Sequence, residues 1–251
     1  MNSNDTFDGR TALVTGATSG IGRAVAERLG AAGARVVVHG RDAERGKAAV
    51  QAVEERGGSA RFVAADLGDA DDVLRLAAEA GDVDILVNSA GVYEFTPTAA
   101  TGAAGFDRHF ALNTRAPFLL VGALAPPMAE RGDGVIITVG STASRLPAPV
   151  GAAYGASKAA AETLTRYWAN EFGARGVRVN AVSCGPVRTE GSAAMLGDAI
   201  DAMGSVVNVR GRLGDPEEIA EAVAFLASPA SSYVNGAILI ADGGERSLLP
   251  G

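Results

Sequence analysis

Cysteine and histidine are almost absent from this chain of 251 residues: Cys184 stands alone, and His39 and His109 are its two imidazoles. One thiol excludes an intrachain disulfide and any multi-cysteine metal centre, and two isolated histidines supply little for a zinc site or a histidine-based triad. The sequence therefore predicts no metal, and both histidines read as incidental. Basic charge is also in deficit, with a formal net charge of −7, and no basic cluster offers a footprint for nucleic acid. No uncharged apolar run reaches the roughly 18 residues of a membrane span. Residues Met1 to Asp8 lack the charged and apolar regions of a secretion signal. The expectation is a soluble cytoplasmic protein with neither nucleic acid nor membrane as a partner.

What is present is ample apolar material, 47% of residues, enough for a full core. Short β-branched runs alternate with longer Ala-rich stretches of helical period. The runs are Thr11 to Thr15, Arg35 to His39, Ala60 to Ala64, Asp84 to Asn88, Gly134 to Gly140, Val177 to Val182 and Ala237 to Ala241. Continuous apolar strands such as Ile85-Leu86-Val87 suit a parallel sheet buried on both faces. Right-handed crossovers then give an α/β, doubly wound, seven-stranded parallel sheet of the Rossmann type, with helices on both faces, in one domain spanning 1–251. Ligands of such a sheet bind beyond the carboxyl ends of its strands, near the reversal of strand order. The segment from about Thr189 to Gly214, ahead of the helix start Asp215-Pro216-Glu217-Glu218, is the least regular stretch and reads as a lid over that edge.

Thr15-Gly16-Ala17-Thr18-Ser19-Gly20-Ile21-Gly22 follows an apolar strand and opens an Ala-rich helix. A dinucleotide phosphate loop needs that context, with glycines for close backbone approach and a helix N-terminus for the pyrophosphate. An acid normally meets the adenosine ribose of NAD at the end of the second strand. Here Gly40 stands at that position and Arg41 follows, a cation able to bind a 2′-phosphate, so the reading favours NADP(H) with NAD(H) possible. Two alternatives stay open: Asp42 as a ribose ligand, or Arg41 as a solvated strand end.

Of 22 basic side chains, Lys47 and Lys158 are lysine and the other 20 are arginine. Where a generic cation serves, arginine is used, so Lys158 stands out. It follows Tyr154 by four residues, which in a helix over 151–173 places both on one face, and Ser141 precedes Tyr154 by thirteen. A cation beside a phenol lowers its pKa from about 10 toward a range useful for proton transfer.

Taken in order, the glycine loop, Asp66, Asn88-Ser89-Ala90-Gly91, Asn113, Ser141, Tyr154, Lys158 and the stretch Asn180 to Thr189 make the chain resemble the short-chain dehydrogenase/reductase family, particularly its bacterial 3-oxoacyl-[acyl-carrier-protein] reductase-like members. Further landmarks follow at Arg212 to Ala220 and Tyr233 to Gly244. The resemblance implies Tyr154 as general acid/base, Ser141 as holder of the substrate oxygen, Lys158 on the nicotinamide ribose and Asn113 in a proton relay through water. It implies cofactor contacts from Gly16, Thr18, Ser19, Gly20, Ile21, Gly22, Arg41, Asp66, Leu67, Asn88, Ala90, Gly91, Tyr154, Lys158, Gly185, Val187 and Thr189. It further implies a homotetramer, with the Tyr154 helix and the chain end from Leu239 to Pro250 at interfaces.

Two positions depart from the family pattern: Ser89 stands for a second asparagine, and Cys184 for the proline before Gly185. Cys184 is either a neutral variation or a thiol shielded by bound cofactor. The expected substrate walls are Val92 to Thr96, Thr142 to Val150 and Glu190 to Val209, with Met195, Leu196, Ile200, Met203, Val206 and Val207 as apolar cover and Arg145 either meeting an anionic group or solvated. The small-molecule carbonyl/alcohol pair itself is not selected. The alternative readings are an NAD-dependent alcohol dehydrogenase of the same family and a non-catalytic nucleotide-binding protein.

Overall fold

The computed structural model describes residues 6–94, 96–147, 151–197 and 207–244. Strands β1 (Thr11–Val14), β2 (Arg35–Gly40), β3 (Ser59–Ala64), β4 (Ile85–Asn88), β5 (Gly134–Ser141), β6 (Val177–Cys184) and β7 (Ile238–Ala241) form one sheet in the order β3-β2-β1-β4-β5-β6-β7. Every pairing is parallel. The order reverses between β1 and β4, which opens the crevice where the motifs converge.

The helices are α1 (Gly20–Ala31), α2 (Ala43–Glu55), α3 (Ala70–Ala80), α4 (Thr98–Phe110), α5 (Ala116–Arg131), α6 (Ala152–Gly173), α7 (Glu190–Leu196) and α8 (Pro216–Ala227). Period-two strands buried on both sides generate two cores. On one face Val14, Val36, Ile85 and Ile137 pack with Val25 and Leu29 of α1, Val53 of α2 and Ile219 and Val223 of α8. On the other, Leu13, Leu86 and Ile136 pack with Leu76 of α3, Leu120 and Leu124 of α5 and Trp168 and Phe172 of α6. Each such side chain, fully buried, contributes on the order of 1.5–3 kcal/mol.

Three local features position the site. The strands β5 and β6 run past their apolar stretches, pairing Gly140 with Ser183 and Ser141 with Cys184, so the ladder carries both polar side chains to the crevice. Between α4 and α5, residues Ala111–Arg115 form a π-helical turn. Finally, α8 begins as its sequence predicts: Pro216 opens the first turn, and the Glu218 carboxylate reaches back to accept from the Asp215 N–H at 2.9 Å.

The segment expected to be a lid begins with a helical turn rather than an irregular loop. Thr189 caps α7 in a capping box, its hydroxyl accepting from the Ser192 N–H at 3.1 Å. Ile200, Met203 and Val206 lie outside the described residues, as do the side chain of Leu196, Phe95, Val150 and the chain end from 245 to 251.

Candidate active site

The glycine loop is built for close approach. Gly16 (φ +66°) faces Ala90, where an added Cβ would stand 2.8 Å from the Ala90 Cα. A Cβ on Gly22 would stand 2.3 Å from the Gly16 carbonyl oxygen, and one on Gly20 (φ +51°) would stand 3.1 Å from Thr189 Cγ2. The Thr15 hydroxyl accepts from the N–H groups of both Ser89 and Ala90 at 3.0 Å, tying the end of β1 to the segment after β4. These bonds use the backbone of residue 89, which is why serine serves there.

At the start of α1, Ser19 makes no side-chain cap and the first turn carries no acid, leaving the positive helix end bare. Ile21 packs on the core behind it. Deeper in the crevice, Asn88 is buried and both polar atoms of its amide lack a protein partner. A bare helix N-terminus, glycines against which only backbone fits and an orphaned buried amide together suit a dinucleotide.

At the tip of β2, a Cβ on Gly40 would stand 2.4 Å from Thr18 Cγ2, so the threonine occupies the space an acid would need. Arg41 is exposed. Asp42 is committed elsewhere: its carboxylate accepts from the N–H groups of Glu44 at 2.9 Å and Arg45 at 3.0 Å, capping α2. The Asp66 side chain accepts from the Gly68 N–H at 2.9 Å, and Leu67 is buried in the core beside α3.

Sequence reasoning took His39 as incidental; the structure corrects this. His39 is buried at the end of β2, with Nδ1 3.1 Å from the Gly16 N–H nitrogen and Nε2 3.1 Å from the Ala65 carbonyl oxygen. Burial lowers its pKa. His109, also buried, lies edge-on to Tyr154 with ring centroids 6.3 Å apart. The signal for both was their position: one ends an apolar strand and the other lies four residues before Asn113.

Tyr154, Ser141 and Lys158 meet at the carboxyl edge of β5. Ser141 stands beside the phenol and acts to lower its pKa, and its oxygen accepts from the Ala143 N–H at 3.2 Å. Lys158 Nζ is buried, 6.0 Å from the Tyr154 ring centroid, and donates to the Val139 carbonyl at 2.8 Å. Burial pushes the Tyr154 phenol up, and Ser141 opposes this. Burial likewise lowers the Lys158 pKa, opposed by Cys184 and Glu162.

Asn113 stands in the π-helical turn with its amide fully engaged. Oδ1 accepts from the Val92 N–H, and Nδ2 donates to the Val92 carbonyl and the Ser157 hydroxyl, each at 2.9 Å. The Ser157 hydroxyl in turn donates to the Tyr154 carbonyl at 2.7 Å. Ser157, which the sequence reading passed over, thus locks the first turn of α6 to the Asn113 turn. Glu162, one turn beyond Lys158, was also missed. It is buried, accepts from the Ser144 hydroxyl at 2.7 Å and packs where a Gly140 Cβ would stand 2.5 Å from its Oε1. Gly91 completes the centre: a Cβ there would be 2.9 Å from Asn113 Oδ1 and 3.5 Å from Lys158 Nζ.

Around the mouth, Tyr93 meets Tyr154 edge-on at 6.1 Å, and a Cβ on Gly191 of α7 would stand 2.7 Å from its hydroxyl. Arg145 is exposed and paired with Asp242 at 2.7 Å. Cys184 is buried and its thiol donates to the Gly140 carbonyl at 3.3 Å. Gly185 lies against Asp242, where a Cβ would come within 2.9 Å of its Cα, and Val187 bridges to Gly214. Among the described residues there is no cluster of metal-ligating side chains, and no helix is long and apolar enough to cross a membrane.

Comparison with known proteins adds to this geometry. A family model described as enoyl-(acyl carrier protein) reductase matches residues 16–245. The D-threitol dehydrogenase of Mycolicibacterium smegmatis is 40% identical over 243 residues, covering 95% of this chain and 93% of its own. The crystal structure of a 3-oxoacyl (acyl-carrier-protein) reductase from Agrobacterium tumefaciens C58 with NADP bound superposes with a TM-score of 0.91 at 33% identity, covering 96% of each chain. A 7α-hydroxysteroid dehydrogenase complexed with NADH and 7-oxo glycochenodeoxycholic acid gives the same TM-score at 35% identity, covering 98% of each chain.

Proposed function

Because the chain belongs to the short-chain dehydrogenase/reductase family, an oxidoreductase family acting on CH–OH groups, we propose that it interconverts a small-molecule ketone and secondary alcohol with Tyr154 as the general acid/base and NADP(H) as the preferred dinucleotide. The observation that carries this reading is the convergence of the Tyr154 phenol, Ser141 and the buried Lys158 at the edge of the sheet, next to the glycine cradle.

A bound nicotinamide dinucleotide supplies or accepts the hydride. This chain's residues do the rest. Gly16, Thr18, Ser19, Gly20, Ile21 and Gly22 receive the pyrophosphate, with Ala90 and Asn88 bordering the far side of the cradle. Asp66 and Leu67 would meet the adenine, and Gly185, Val187 and Thr189 the nicotinamide. Lys158, close under Gly91, would donate to the ribose hydroxyls. Ser141 holds the substrate oxygen, and Tyr154, kept protonated by burial, gives its proton to that oxygen as a carbonyl is reduced. Asn113 acts by fixing Val92 and Ser157, and so the angle at which α6 presents Tyr154.

The NADP(H) preference rests on Thr18 filling the space at Gly40, on the exposed Arg41 and on an Asp42 already spent as a helix cap. The second reading, an NAD-dependent alcohol dehydrogenase, draws on the related fold that holds NADH. Fluorescence titration with both dinucleotides decides: tighter NADPH binding supports the first, tighter NADH the second, and binding of neither overturns both. Replacing Tyr154 by Phe should lower turnover roughly 10²–10⁴-fold with dinucleotide affinity retained; full turnover would refute its role.

Exposed aromatic and aliphatic side chains support a two-fold symmetric homotetramer. Phe106, Phe118 and Tyr167 lie on α4, α5 and α6, and Phe225, Tyr233 and Ile240 lie around α8 and β7. Light scattering at the mass of a monomer would contradict it.

A further inference from the structure

We propose that His39 is a positioning residue of the dinucleotide cradle: a neutral imidazole, protonated on Nε2, that clamps Gly16 of the glycine loop to the loop after β3. The tautomer follows from its partners. The Gly16 N–H can only donate, so Nδ1, 3.1 Å away, carries a lone pair. The Ala65 carbonyl can only accept, so Nε2, at 3.1 Å, carries the proton. The main chain of the same residue holds the next link, its carbonyl accepting from the Ala17 N–H at 2.9 Å. His39 thus fixes the two residues that begin the turn into α1 and ties them to Ala65, the neighbour of Asp66 and Leu67. The two ends of the cradle, pyrophosphate and adenine, are set by one side chain.

An imidazolium breaks this clamp, because a proton on Nδ1 would face the Gly16 N–H donor to donor. The surrounding charges oppose one another. Asp66 on the loop after β3 and Asp72 on α3 favour the cation, Arg41 at the end of β2 disfavours it, and burial outweighs them all. A bound pyrophosphate would add to the acidic side, so geometry rather than charge must keep the ring neutral.

The inference rests on the loop being a dinucleotide cradle, and its test separates the two. In ¹⁵N-imidazole NMR of the unliganded protein, with His39 assigned by its loss in a variant, we expect the Nε2–H tautomer and a titration midpoint below the ordinary value of about 6.5. His39→Leu fills the space without an acceptor, and should weaken NADPH and NADH alike by roughly tenfold at neutral pH. His39→Asn restores an acceptor near the Nδ1 position but does not reach the Ala65 carbonyl, so its affinity should fall between wild type and His39→Leu, about threefold below wild type. A proton on Nδ1, a midpoint at or above the ordinary value, a His39→Leu protein that binds as wild type does, or a His39→Asn protein as weak as His39→Leu each overturns the inference. If His39→Leu does not fold, the wild-type imidazole spectrum and His39→Asn still decide it. Wild-type protein that binds neither dinucleotide overturns the cradle and this inference with it; intact binding with His39→Leu unchanged overturns this inference alone.

Discussion

Arg41→Ala isolates the contribution of one exposed cation to the choice of dinucleotide. Arg41 is exposed and its neighbour Asp42 is turned to the α2 backbone, so truncation disturbs no helix cap. Two unit charges about 4 Å apart in bulk water interact by about 1 kcal/mol, and a 2′-phosphate carries close to two charges. Charge-assisted hydrogen bonds add to this, while immobilising a long exposed side chain subtracts from it. The expected loss for NADPH is therefore about 1.4–2.7 kcal/mol, roughly ten- to a hundredfold in Kd, with NADH changed by less than about twofold. Fluorescence titration of wild type and variant with both dinucleotides reads the difference. Repeating it at about 1 M salt, where the Debye length falls to roughly 3 Å, should compress the NADPH effect. Equal losses for the two dinucleotides, or an NADPH loss indifferent to salt, would refute the assignment of Arg41 to the phosphate.

Burial holds the Tyr154 phenol above its ordinary pKa of about 10 in the free protein. The phenolate absorbance lost in Tyr154→Phe should thus appear only above that pH; its appearance below would show another group overriding burial. In turnover, oxidation needs the proton acceptor and should speed up as pH rises, whereas reduction needs the protonated phenol and should not; the opposite slopes would refute proton transfer by Tyr154. Gly22→Ala places a Cβ 2.3 Å from the Gly16 carbonyl oxygen, so the loop must shift, and roughly hundredfold weaker binding of both dinucleotides is expected by titration. Glu162→Ala releases Ser144 in the turn that follows Ser141. Turnover should fall about tenfold with dinucleotide Kd unchanged, and Glu162→Gln should restore most of it; weakened dinucleotide binding would count against this role.

The strands were legible because burial on both faces writes them as apolar runs, and the cradle was legible because only glycine fits against Ala90 and the Gly16 carbonyl. The strand ends were not. Ser141 on β5 and Ser183 on β6 continue the ladder as polar residues, and an apolar pattern stops before them. Side-chain bridges across distant segments were also invisible. His39 to Gly16 spans the crossover from β1 to β2, while Asn113 to Val92 and Glu162 to Ser144 close back on themselves within one connection between strands. The bond from Lys158 to Val139 was hidden for a related reason. Spacing along a helix fixes which face a side chain shares, but not which way its last rotatable bonds turn, and here they turn to the Val139 carbonyl.

The π-helical turn at Ala111–Arg115 has a consequence for how this chain tolerates change. Such a turn amounts to one surplus residue threaded into an otherwise regular rod. Removing a single residue there is the rare deletion that would regularise a helix rather than break it. The shortened rod would gain orderly bonding of its own, yet its two halves would turn by about 100° against each other. Either Asn113 leaves Val92 and Ser157, or Leu120 and Leu124 leave the core, so the surplus residue is what lets one rod serve the reactive centre and the packing together.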